Sequence, residues 1–229
     1  MSITTTKLTR AAGLSAVAAG LLFAAVQINH PHLDANFVTT TEWTVRQTMK
    51  VVMAALALIG ITGMYLRQVK QTGILGLIGY VLFSAGYLTM LSIETIGTVV
   101  LPSIAHSAPG YVNDVLAVST SGNAAGDIGL MQPLLSFMGI GYLGGGLLFG
   151  IALFRARILA RWAAVLLGVG TVSAIAIPLL PQINERLFAV PTAVALVGLG
   201  ISLWRDQRTV VGHSLPVENS SPLDAAGAK

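Results

Sequence analysis

The sequence predicts an all-α, polytopic membrane bundle of six transmembrane helices, and three observations carry that prediction. Hydrophobic residues fill 54% of the 229 positions and charged residues only 10%, whereas soluble domains carry about 25% charge. Mean hydropathy is +0.78, so the chain has too little polar surface to face water on all sides. The apolar residues gather into six runs, each near the ~20 residues a helix needs to cross the hydrocarbon layer. Backbone groups in lipid must pair within their own segment, so runs this apolar are helices. The alternating strands of an outer-membrane barrel are absent.

The runs extend from Ala11 to Ile28, Met49 to Leu66, Ile74 to Leu101, Pro133 to Phe154, Trp162 to Leu179 and Leu187 to Trp204. The first follows Lys7 and Arg10, as the core of a signal peptide would. It has no clean A-x-A site before a polar boundary, so it reads as a retained span. Charge sets the orientation. Lys7, Arg10, Arg67, Lys70, Arg155, Arg157, Arg161, Arg205, Arg208 and Lys229 fall on one side of a six-span chain, and only Arg46, Lys50 and Arg186 on the other. Both termini are therefore expected in the cytoplasm of a bacterial cell, with the chain multi-pass in the cytoplasmic membrane. Residues 1–208 form the transmembrane domain, and 209–229 read as a flexible cytoplasmic tail rich in Ser, Pro and Ala.

The same arithmetic excludes several functions. The net charge of +4 is a topology signal, because the basic residues are scattered between apolar runs rather than clustered on a polar surface; no nucleic-acid partner is expected. The absence of cysteine removes disulfides, thiolate metal sites and thiol redox chemistry. The two inner connections are short and give tight antiparallel hairpins. Tyr65-Leu66-Arg67, Phe154-Arg155 and Trp204-Arg205 read as aromatic–arginine anchors at the inner interface. The outer side holds the long loops, Asn29 to Thr48 and Pro102 to Gln132.

Glu94 is the most informative residue. It interrupts the third run in its outer half, where a carboxylate costs a few kcal/mol unless it is paired, protonated or facing water. Seven-residue steps put Tyr80, Tyr87 and Glu94 on nearly one helix face, and Ser84 and Thr98 continue the stripe. Two readings stand. In one, Glu94 pairs with a basic residue and the tyrosines pack between helices. In the other it is a protonatable acid at the end of an aromatic cleft. Glu42, Arg46 and Lys50 form an ion-pair ladder at the start of the second span, or else Arg46 faces Glu94 or an anionic ligand. Trp43 fits an interfacial anchor. Trp43, Arg46 and Gln47 are the expected substrate contacts.

Other features carry less. His30 and His32 point one way in an extended His30-Pro31-His32-Leu33-Asp34 segment and, with Asp34 or His106, have the residue types of a divalent site. There is no H-E-x-x-H pattern, so no metal and no cofactor is assigned. Asn113-Asp114 lacks the second acid of a diphosphate-binding motif, and Asp114 and Asp127 read as solvated loop acids. Gly141-x-x-x-Gly145 and Gly146-x-x-x-Gly150 in the fourth run permit close helix contact, within the chain or in a homo-oligomer.

The segment Phe154-Arg-Ala-Arg-Ile-Leu-Ala-Arg161-Trp162 resembles the hairpin between the fourth and fifth helices of small six-helix bacterial membrane proteins of unknown function. The Ala/Val/Gly-rich style with aromatic–Arg helix ends looks actinobacterial. In size and class the chain is also similar to the small polytopic membrane terpene cyclases, although no motif matches them residue by residue. That analogy implies an enzyme acting on a hydrophobic, isoprenoid-like small molecule drawn from the bilayer. Glu94 would protonate an alkene or epoxide, and Tyr80 and Tyr87 would stabilise the cation. The competing expectation is a non-catalytic lipid- or ligand-binding accessory or immunity protein.

Overall fold

The computed structural model describes residues 4–120, 122–175 and 189–212, with side chains through 206. Among these residues the chain is all-helical, with seven α-helices, one 3₁₀ turn and no strand. Helix α1 is Thr5–Ala25, α2 Thr41–Arg67, α3 Val69–Ile104, α4 Pro109–Ser119, α5 Met131–Ala156, α6 Arg161–Ser173 and α7 Ala189–Gly212; the 3₁₀ turn is Phe37–Thr39. Four of them, α1, α2, α3 and α5, are long and apolar enough to cross a membrane. Helix α6 is apolar but shorter. The expected continuation of the fifth run to Leu179 and the start of the sixth at Leu187 lie outside the described residues. So do Glu185, Arg186 and the tail beyond Gly212; the expected tail boundary at 209 falls within α7.

Local chemistry sets several boundaries. The hydroxyls of Thr4 and Thr40 accept the backbone N–H groups of Lys7 (3.3 Å) and Trp43 (3.2 Å), capping α1 and α2, as a threonine at this position does. Both helices start earlier than the apolar runs because the caps, not the hydropathy, fix their first turn. At Gly73 the backbone turns to φ 58°, ψ −155°, and breaks the axis of α3 one turn after its start. That conformation needs a glycine. Helix α5 ends at Arg157, in the left-handed region at φ 58°.

Six helices form a closed ring. Helix α1 packs on α2, α2 on α3, α3 on α5, α5 on α6, α6 on α7, and α7 back on α1. Each neighbouring pair is antiparallel, as Ala16 against Gly60 and Ala12 against Gly63 illustrate for α1 and α2. The antiparallel order gathers Lys7, Arg10, Arg67, Lys70, Arg155, Arg161 and Arg205 at one end, called here the basic end. Arg67 closes that end by an ion pair from α2 to Asp206 of α7.

Small residues draw the helices together. A Cβ at Gly13 would lie 2.8 Å from the carbonyl oxygen of Gly200, and one at Gly86 would lie 2.7 Å from the Tyr142 nitrogen. In the glycine-rich α5, Gly141 and Gly145 face α3, while Gly146 and Gly150 face α6. The close approach they permit is used inside this chain. Between these contacts lies a core of Phe83, Tyr87, Phe149, Leu153, Leu167 and Leu199, all fully buried.

The opposite end differs from the expectation of a long loop. Helix α4 sits within it, and Val112, Val115 and Leu116 bury one stripe of that helix in a second core with Val38, Trp43, Leu101, Met131 and Leu135. Proline at the first helical position and apolar residues at i, i+3 and i+4 explain why this segment is helical.

Candidate functional site

Between α2 and α3, beneath α4, a cavity of about 100 Å³ is lined by His30, Trp43, Gln47, Lys50, Glu94, Gly97 and an apolar wall that includes Ile93, Leu116, Leu135 and Met138. On α2, Trp43, Gln47 and Lys50 follow one another at i, i+4 and i+7, so one face turns all three toward α3. On α3, Gly97 leaves room for them. A Cβ there would collide with the Gln47 amide nitrogen. The Trp43 indole N–H donates to the Gly97 carbonyl at 2.9 Å, so Trp43 is a buried inter-helix tie, 3% exposed, and not the interfacial anchor expected from its position.

Glu94 is held from α2. The Gln47 amide N–H donates to its Oε2 at 2.7 Å, and the Lys50 ammonium lies 3.6 Å from the same oxygen. The side chains of Lys50 and Glu94 are 21% and 17% exposed. The first reading of Glu94, pairing with a basic residue, is the one this geometry follows. The partner is Lys50 instead of Arg46. Gln47 is 4% exposed, and its Oε1 is buried without a hydrogen-bond partner. The amide cannot be turned round to relieve this, because a carboxylate oxygen accepts and the nitrogen must face it.

Arg46 points elsewhere. Its Nε donates to Glu42 at 2.8 Å, Nη1 to the carbonyls of Val26 and Ile28 at 3.3 and 3.1 Å, and Nη2 to Asn29 at 3.0 Å. These are carbonyls at and beyond the end of α1, where a cation is favourable. The expected ladder therefore stops at Glu42 and Arg46. Eight residues on from Glu42, Lys50 has rotated about 80° round the helix and faces α3.

Tyr80 and Tyr87 do not line the cavity of Glu94. Tyr80 stacks on Tyr65 with centroids 4.4 Å apart, and its hydroxyl is 3.2 Å from that of Thr62. Tyr87 is fully buried against Phe83 and Tyr142 at 5.0 and 6.0 Å, its hydroxyl unpartnered. Seven-residue steps keep a stripe on one face but also move each residue about 10.5 Å along the axis. The aromatic cluster and the carboxylate thus occupy different levels of the bundle.

The loop acids do structural work. Asp114 accepts the backbone N–H groups of Ala125 and Gly126, both at 2.9 Å, and Asp127 accepts that of Gly129 at 2.7 Å. Neither acts merely as a solvated charge. The Asn113 side-chain oxygen accepts from Ala35 at 2.8 Å, tying α4 to the first long connection. His30 borders the cavity, while His32 and His106 are exposed. Among the described residues no group of three His, Asp or Glu side chains is placed to hold a metal. At the basic end, the Arg161 guanidinium lies 4.0 Å over the Phe154 ring. The expected Phe154–Arg155 anchor is joined by this cation–π tie across the hairpin.

Comparison of the chain with protein-family models, with curated proteins and with solved structures finds no match.

Both α2 and α3 place the cavity far from the basic end. About 20 residues separate Gln47 from Arg67, and about 20 separate Glu94 from Ile74 at the break in α3. Each interval is about 30 Å of helix, one hydrocarbon thickness. The exposed face of α2 becomes more apolar accordingly, from Thr41, Glu42, Thr44, Val45 and Thr48 to Val52, Ile59 and Leu66.

Proposed function

We propose that this chain is a six-span protein of the bacterial cytoplasmic membrane, with both termini inside, that binds an amphipathic ligand at its outer end without transforming it. One observation carries the reading: Glu94 shares a small cavity with Gln47 and Lys50 while the tyrosines pack elsewhere. An acid catalyst for alkene or epoxide protonation needs a transferable proton aimed at substrate and an aromatic wall to receive the cation. Here Oε2 already accepts from Gln47 and faces an ammonium, and the wall beside Trp43 and His30 consists of aliphatic and thioether side chains with the hydroxyl residues Ser119 and Thr120. Size argues the same way. Sites that enclose drug-sized ligands span about 300–1,000 Å³, whereas this cavity of about 100 Å³ suits the polar head of a molecule whose apolar part lies in the bilayer.

The test is purification of wild type and Glu94→Gln in mild detergent, with bound small molecules extracted and identified by mass spectrometry. Wild type should retain a ligand that Glu94→Gln loses, with both proteins monodisperse. In parallel, membranes carrying each protein are incubated with prenylated and epoxidised substrates, and products are separated by chromatography because cyclisation conserves mass. Turnover by wild type that Glu94→Gln abolishes would replace binding with the cyclase reading.

A further inference from the structure

We infer that the cavity selects a zwitterionic head group with a primary ammonium, the chemistry of a phosphoethanolamine head. The inference rests on the ligand-binding reading above and names the ligand class.

The Gln47 Oε1 is a buried acceptor with no partner, in a side chain 4% exposed that borders the cavity. An orphaned buried acceptor costs roughly 1–3 kcal/mol, so it calls for a donor. Its neighbour Glu94 offers a second acceptor, Oε1, while Oε2 takes Gln47 and faces Lys50. Two acceptors, one of them ionisable, describe a site for an N–H-bearing cation. A quaternary ammonium has no N–H to give either of them.

The other half of the ligand is read from Lys50. At 3.6 Å from Glu94 its ammonium is near enough for Coulombic attraction but too far for a good hydrogen bond. Its donors can turn to an anion at the cavity mouth. One cation and one anion side by side match a ligand of zero net charge with the opposite order of charges. The depth fits too: the cavity lies about 30 Å of helix from the basic end, at the opposite head-group layer. The volume of about 100 Å³ takes an ethanolamine group and leaves the acyl chains outside.

The experiment uses the full chain in detergent, titrated with phosphatidylethanolamine and phosphatidylcholine of identical acyl chains and read by native mass spectrometry. Wild type should prefer phosphatidylethanolamine by about tenfold, the factor expected for one charge-assisted hydrogen bond. Gln47→Met should bring the ratio to near one. A third arm adds O-phosphoethanolamine. Displacement of the lipid by it supports the inference and names a soluble source, and a preference that only the intact lipid produces supports it with the membrane as source. Equal uptake of the two lipids by wild type overturns the inference, and this arm needs no variant to fold. A preference that survives in Gln47→Met also overturns it. Gly97→Ala, whose methyl would displace the Gln47 amide, separates the two levels of failure. If wild type takes both lipids equally and Gly97→Ala weakens both, only the head-group assignment falls. If Gly97→Ala changes neither, the cavity is not the ligand site and the ligand-binding reading falls with it.

Discussion

The two ends of the bundle are built on opposite rules. Toward the basic end, glycines and alanines bring backbones together around Phe83, Phe149, Leu153 and Leu199, none of them exposed. In lipid there is little hydrophobic drive between helices, so that half is held by close van der Waals contact. Toward the other end, α2 and α3 meet through polar groups: an indole N–H on a carbonyl, an amide on a carboxylate, an ammonium nearby. The first half is filled by shape, although the Gln68 Oε1 and the Tyr87 hydroxyl are buried there without a partner. The second keeps a cavity beside its unsatisfied acceptor, the Gln47 Oε1, and both cost stability.

That contrast can be broken by substitution. Phe149→Ala should cost the most, about 4 kcal/mol, because a fully buried ring is lost and its neighbours relax only partly; thermal unfolding in detergent measures it. Gly145→Ala should follow at about 3 kcal/mol, since a methyl there meets the Phe83 backbone. Gly139→Ala on the same helix meets nothing within 4 Å and should change stability by no more than about 0.5 kcal/mol. Equal effects at 139 and 145 would show that α5 does not pack as described. At the polar end, Trp43→Phe removes one buried hydrogen bond and should cost about 1 kcal/mol. Glu94→Gln should be the milder of the two at this end in stability, below about 1 kcal/mol, yet the most damaging to ligand retention. A large stability loss there would mean that the carboxylate serves packing alone.

How much of this was legible depends on the range of the interaction. The Glu42–Arg46 pair followed from i,i+4 spacing and is present at 2.8 Å. Helix α4 carried its own signals, Pro109 at the first position and Val112, Val115 and Leu116 on one stripe. A long loop between apolar runs hid them. The partner of Glu94 was not legible. Arg46 and Lys50 are both basic and both near the start of α2, and choosing between them requires the rotation of α2 against α3. Gln47 was named as a substrate contact, but nothing in one sequence gives its short bond to Glu94 or its stranded oxygen. Tyr80 and Tyr87 illustrate the opposite error. Periodicity reports a shared face and is silent about depth.

By itself the sequence determined the all-helical class and the apolar character that suits a membrane. Apolar runs of membrane length and basic residues that alternate with them depend only on composition and spacing, which the bilayer reads directly. Tertiary structure decided which charge meets which. Ring closure and the close approach allowed by Gly97 set the rotation of α2, and that rotation sent Arg46 to the carbonyls of α1 and Gln47 with Lys50 to Glu94. A hydrogen bond is sensitive to ångströms, and only packed helices fix positions to that precision.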